Sequence, residues 1–176
     1  MSVFVAFEGG EGSGKSTQSK LLYERIIAEG CSSLLIHEPG GTFVGEEVRR
    51  ILLAERGASG NKSSRTKNAT MNSLTELFLF SSARSELIEK VIVPNLEKDT
   101  IIICDRFIAS TIAYQGYGRK INLDTVENII NVSTRGIKPD LTILLSVEPD
   151  KALDRVNSQL SLLDTLSNSI EKENHV

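Results

Sequence analysis

The chain has 176 residues, 40% of them hydrophobic, and a formal net charge of −3, which suits one compact domain with a substantial core. The lack of basic excess excludes a nucleic-acid duplex as main partner, and no apolar run approaches the roughly 18 residues that cross a bilayer as a helix. Two cysteines, Cys31 and Cys104, with no signal-peptide pattern, point to a reducing cytoplasm.

The first apolar run, residues 3–7, reads as a strand, and it leads into Gly9-Gly10-Glu11-Gly12-Ser13-Gly14-Lys15-Ser16. This is the pattern of a phosphate-binding loop in the right context, between a strand and an amphipathic stretch. Glycines let backbone N–H groups point inward at phosphate oxygens, and the following helix adds its positive end. Lys15 reaches the outer phosphates and Ser16 offers a hydroxyl to Mg²⁺. A nucleoside triphosphate is therefore expected on residues Gly9 to Thr17.

Residues 15–29 form the next helix, with Leu21, Leu22, Ile26 and Ile27 on one side and Gly30 as its C-terminal cap. Residues 33–36, 100–104 and 141–147 are further apolar runs without alternation, as expected of parallel strands covered on both faces. Residues 57–68 are rich in Gly, Ser, Asn and Lys and read as a mobile surface loop. A long helix spans residues 73–96, with Pro94 expected to kink or end it, and residues 122–132 form another, capped by Asn122. Strands alternating with helices make an α/β fold: a P-loop NTPase architecture with a parallel sheet and helices on both faces. Leu160, Leu163, Leu166 and Ile170 recur at near-helical intervals, but no apolar strand follows them, so the fold reads as short at its C-terminus.

Asp105-Arg106 directly follows the strand at 100–104, at the carboxyl end of the sheet, on the same rim as the phosphate loop. The alternative for Asp105 is a cap on the next helix, paired with Arg106.

Taken together, residues 4–17, His37-Glu38-Pro39-Gly40-Gly41-Thr42, Gly45-Glu46-Glu47-Val48-Arg49, residues 80–84, Asp105-Arg106-Phe107 and Ser110-Thr111-Ile112-Ala113-Tyr114-Gln115-Gly116 resemble the bacterial thymidylate kinase family. The resemblance implies a cytoplasmic homodimer, one P-loop kinase domain over residues 1–176, that transfers the terminal phosphoryl group of ATP to dTMP with Mg²⁺, giving dTDP and ADP for dTTP synthesis. It places Phe80 against thymine, Arg84 on the base, Arg49 and Arg106 on the acceptor phosphate, and Thr111 and Gln115 on the base or the phosphate surroundings. Tyr114 would crowd the ribose 2′ position, Glu11 would meet the 3′-hydroxyl, and Glu38 would sit in a loop near the donor phosphates. Asp105 would organise Mg²⁺ and Arg106, so the catalytic set is Lys15, Asp105, Arg106 and Arg155. Gly40-Gly41 reads equally well as a plain turn.

One departure from the family pattern stands out. Relatives without an arginine in the phosphate loop supply basic residues from a lid after the fourth strand. Here Arg155 matches the first of these, whereas Asn157, Gln159 and Ser169 replace others, and Lys172 is the only Lys or Arg in residues 156–176. An intact acceptor pocket beside a depleted lid is the expectation, with binding preserved and turnover resting on Arg155. A kinase for another nucleoside monophosphate, or a truncated nucleotide-binding protein with little activity, are the alternatives.

Overall fold

The computed structural model describes residues 2–55, 71–148 and 150–158. The loop at 57–68 and the leucine-spaced tail with Gln159, Ser169 and Lys172 lie outside these described residues.

Four parallel strands, β1 (Val3–Gly9), β2 (Ser33–His37), β3 (Ile101–Asp105) and β4 (Leu141–Leu145), form a single sheet in the order β2-β3-β1-β4. The central pair, β1 and β3, carries the apolar runs, because both of its faces are covered. On one face Phe4, Ala6, Ile102 and Cys104 pack under Leu87, Ile88 and Ile92 of the long helix. On the other, Val5, Phe7 and Ile103 pack under Leu22, Tyr23 and Ile26 of α1 (Lys15–Ala28). Leu21 and Ile27 do not join them and are exposed, because successive helical residues are turned by about 100° and only the i, i+4 pair faces the sheet squarely. The outer strand β4 departs from the expectation of two covered faces: Leu141 and Leu144 are exposed, and the strand ends at Leu145, before Ser146-Val147.

Gly30, with φ +78°, closes α1 as expected; its N–H donates to Ile27 C=O while the Cys31 N–H reaches Ile26 C=O. The long helix runs from α3 (Ser73–Leu87) through a π-helical turn, Ile88–Ile92, into α4 (Val93–Leu96), so Pro94 does not end it. In a regular helix the proline ring would collide with the carbonyl one turn back. The wider π turn relieves this, with Val93 N–H bonding to Ile88 C=O and the Asn95 amide taking up Val91 C=O at 2.7 Å. Asn122 caps α6 (Leu123–Thr134) through Thr125 N–H at 3.1 Å.

Two helical stretches escaped the apolar-pattern reading. Helix α2 (Phe43–Glu55) contains a glycine in its first turn and is started by Thr42, whose hydroxyl accepts from Gly45 N–H at 2.9 Å. Helix α5 (Ile108–Thr111) widens into a π-helical stretch, Ile112–Gly118, whose two glycines and two tyrosines give it a poor intrinsic helix propensity. Tertiary contacts decide both. Val48 and Leu52 of α2 pack on Ala83 of α3, while Val126 and Ile130 of α6 clamp Leu77 and Ile112.

Candidate active site

Strand β1 delivers the chain to the carboxyl rim of the sheet and the phosphate loop turns back into α1 there. Lys15 is buried, with Nζ donating to Gly10 C=O at 2.5 Å and to Ser13 Oγ at 3.3 Å. Burial, and then the neighbouring Arg106, hold its pKa below the ordinary 10.5, against the opposing pull of Asp105, Glu8 and Glu11. Lys15 and Arg106 therefore share one electrostatic environment and line one cavity of about 620 Å³ together with Gly12, Ser16, Glu38, Arg49 and Asp105.

Gly12 has φ +71°, and a Cβ there would lie 2.3 Å from Ala152 C=O, so the helical residues 150–158 sit directly against the loop. Arg155 in that segment donates from Nη1 to Gly12 C=O at 3.3 Å. A second cavity of about 520 Å³ opens between them, lined by Gly14, Lys15, Ser16, Thr17, Asp154 and Arg155.

At the end of β3 the Ser16 hydroxyl donates to Asp105 Oδ2 at 2.5 Å, while Asp105 Oδ1 is buried without a hydrogen-bond partner among the described residues. Arg106 has a left-handed backbone, φ +73°, a conformation that costs a non-glycine residue free energy and persists where its surroundings over-determine it. Its N–H donates to Phe7 C=O at 2.9 Å, its carbonyl accepts from Cys104 Sγ at 2.9 Å, and Nη1 reaches Gly9 C=O and Ser110 Oγ at 3.1 and 3.2 Å. The guanidinium stands over the Tyr114 ring, 5.6 Å from its centroid.

Asp105 is not the cap of the following helix. Glu8, a buried carboxylate at the end of β1, takes that place: Oε1 accepts from Phe107 N–H at 2.9 Å and Ser110 N–H at 3.2 Å, and Oε2 from Ser110 Oγ at 2.6 Å. Sequence reasoning missed Glu8; its one signal was an acid placed in an otherwise apolar buried strand. The Gly40-Gly41 turn is built to a purpose as well. A Cβ at Gly40 would lie 2.3 Å from the His37 ring, and Gly41 N–H donates to Glu46 at 2.8 Å, so the turn packs tightly under α2.

A smaller cavity of about 140 Å³ lies beside the phosphate cavity and is lined by Glu11, Glu38, Arg49, Phe80, Arg84, Arg106, Thr111, Tyr114 and Gln115 among others. Every residue expected to contact the acceptor is thus brought to one place, from the phosphate loop, the turn after β2, α2, α3, the end of β3 and the helical stretch 108–118. Arg84 is wholly buried and donates to Glu38 from Nε (3.0 Å) and Nη2 (2.7 Å) and to Thr111 Oγ1 (2.8 Å). Its Nη1 has no partner among the described residues. Glu38 borders both cavities, and its burial raises its pKa above the ordinary 4.5 despite the Arg84 charge. Arg49, which also borders both, is steadied by Pro39 C=O at 3.0 Å.

A sequence profile described as thymidylate kinase matches residues 7–175. Thymidylate kinases of Dehalococcoides mccartyi strain BAV1 and Chlorobium phaeobacteroides are 46% and 42% identical over 155 and 167 residues, covering 88% and 95% of this chain and 69% and 71% of theirs. A crystal structure of thymidylate kinase from Ehrlichia chaffeensis aligns at TM-score 0.72 and 36% identity, over 95% of this chain and 89% of that one. With a phosphate loop, a facing arginine pocket and this likeness along most of its length, the chain belongs to the thymidylate kinase family, phosphotransferases that make dTDP from dTMP and ATP.

Proposed function

We propose that the small cavity receives dTMP and the two cavities on the phosphate loop receive ATP, so that acceptor and donor phosphates meet where Arg49, Arg106, Glu11 and Glu38 border both spaces. That shared border is the observation that carries the assignment. Phe80 stacks on thymine, Arg84 and Gln115 face its polar edge, and Tyr114 lies against the sugar.

The second pKa of a phosphate monoester is about 6, so dTMP already carries its nucleophilic oxyanion near neutral pH. No general base is required, and Asp105 is not cast as one. The difficulty is bringing two polyanions into line, which positioning and fixed positive charge overcome. Arg49 and Arg106 hold the acceptor phosphate, and Arg106 is aimed by its constrained backbone and by Gly9 and Ser110. Lys15, the loop N–H groups and the start of α1 hold the donor phosphates. Asp105 Oδ1, buried without a hydrogen bond to any described residue, beside the Ser16 hydroxyl, is a donor set suited to Mg²⁺, which binds few protein ligands and keeps its waters and the substrate phosphates. When bound, Mg²⁺ neutralises charge on the transferring phosphoryl group. Arg155 supplies the arginine that the phosphate loop lacks.

Cys31 and Cys104 are unpaired, which supports a reducing, cytoplasmic setting. Exposed Leu74 and Phe78, one turn apart on α3, support association of two copies through this apolar stripe, tested by sedimentation at micromolar concentration.

A product assay with ATP–Mg²⁺ and dTMP, dUMP, dCMP or dGMP tests the assignment. dTDP formation well above that of the other diphosphates is expected; preference for dCMP or dGMP, or stabilisation by dTMP without product, overturns it.

A further inference from the structure

Glu76 is a carboxylate only 4% exposed, and phosphoryl transfer gives it no task. It precedes Phe80 and Arg84 by one and two turns of α3, on the stripe that borders the acceptor cavity. Its Oε1 accepts from Gln115 Nε2 at 2.6 Å, and its Oε2 from Arg119 Nη2 at 2.6 Å and Nε at 3.2 Å. Arg119 offsets the charge, and Gln115 is itself 1% exposed.

A side-chain amide has a donating end and an accepting end, and which way it points follows from its partners. A carboxylate only accepts. Glu76 therefore takes the NH₂ end of Gln115, which leaves Oε1 as the end offered to the cavity that Gln115 lines. Gln115 Oε1 has no hydrogen bond to a described residue and is not among the enclosed unpartnered atoms, and the cavity is the space that Gln115 lines. Arg84 supplies the complement, since Nη1 is a buried donor without a partner among the described residues and Arg84 lines the same cavity. One fixed donor and one fixed acceptor match a pyrimidine edge that carries a carbonyl oxygen and an N3–H, as in thymine and uracil. They oppose cytosine, whose amino group and bare N3 reverse the pattern.

We propose that Glu76 is a positioning residue which sets the Gln115 amide and thereby makes the site reject cytosine nucleotides. This rests on the acceptor-site reading above. Buried polar groups left facing like groups are costly, which is why sites of this kind discriminate strongly.

The test compares kcat/KM for dTMP, dUMP and dCMP in the wild type, in Glu76→Gln, and in the double variant Glu76→Gln with Gln115→Glu. In Glu76→Gln the neighbouring amide can turn either way, so the dTMP/dCMP preference falls at least about tenfold, the loss from one misdirected hydrogen bond. The dTMP/dUMP preference stays, because those bases share the same polar edge; general loosening would not spare one ratio and move the other. The double variant restores preference for dTMP over dCMP, because the carboxylate introduced at position 115 accepts from the amide introduced at position 76 and again turns an acceptor inward. An unchanged dTMP/dCMP ratio in Glu76→Gln overturns the proposal. If that variant does not fold, the double variant decides: recovery of the wild-type ratio supports the proposal and loss of preference overturns it. A wild type that prefers dCMP would instead overturn the acceptor-site reading, whatever Glu76 does.

Discussion

Arg84 and Glu38 form an ion pair closed off from solvent, with side chains 1% and 5% exposed and Nη2 to Oε2 at 2.7 Å. Glu38 reaches the phosphate cavity as well as the acceptor cavity, so the pair holds the wall between them together. Arg84 is then both a base contact and the counter-ion of a buried carboxylate. Removing it does more than delete a contact with substrate.

Arg84→Ala leaves the Glu38 charge buried and unpaired, a change that costs about 3–5 kcal/mol. Denaturant unfolding checks this, and KM rises for both ATP and dTMP because the shared wall loosens. Arg84→Lys keeps the charge but not the second donor arm. It is expected to lose less stability, raise KM for dTMP at least about tenfold and leave KM for ATP nearly unchanged. Equal shifts in both KM values for the lysine variant would count against base recognition by Arg84.

The raised pKa of Glu38 has a signed consequence for stability. Burial lifts the native pKa above the unfolded value of about 4.5, so between these two values the native state binds more protons than the unfolded state. Its contribution is therefore complete below about pH 4.5 and is lost as pH rises through the native pKa. Subtracting the stability–pH curve of Glu38→Gln from that of the wild type should leave a component that declines with pH across this window. A component that rises there would contradict the burial argument.

Gly12 and Gly14 both have positive φ, +71° and +93°, but a Cβ meets the Ala152 carbonyl at 2.3 Å only at Gly12. Gly14→Ala carries the left-handed backbone cost alone, about 1–2 kcal/mol. Gly12→Ala adds displacement of residues 150–158, and with them Arg155. The melting temperature without nucleotide is expected to fall further for Gly12→Ala, and its kcat to fall with it.

Arg155 is the only arginine in the described part of the lid segment, residues 150–158, and it touches the phosphate loop through Gly12 C=O. An arginine that serves a phosphoryl-transfer transition state is worth about 10³–10⁵ in rate. Arg155→Ala is expected to lower kcat by about 10³ or more while dTMP binding, measured by calorimetry, stays near the wild-type value. Undiminished turnover would remove Arg155 from the mechanism.

Contiguity explains what could be read before the structure. The loop from Gly9 to Ser16 states its chemistry because its glycines, lysine and serine act as one run of backbone and adjacent side chains, and the apolar runs of β1 and β3 declare a sheet covered on both faces. The ordered motifs likewise name the acceptor residues, all of which line one cavity. What only the tertiary structure decided are the pairings of buried acids with donors distant in sequence: Glu8 with the Phe107 N–H at 99 residues' separation, Glu38 with Arg84 at 46, and Glu76 with Gln115 at 39. No local propensity registers such a pair, because an acid in a helix or strand does not declare its partners until folding removes the water and leaves it only the donors packed around it. The helices α2 and Ile108–Gly118 were hidden for the same reason, their weak intrinsic preference being overruled by packing on α3 and by the Glu8 carboxylate.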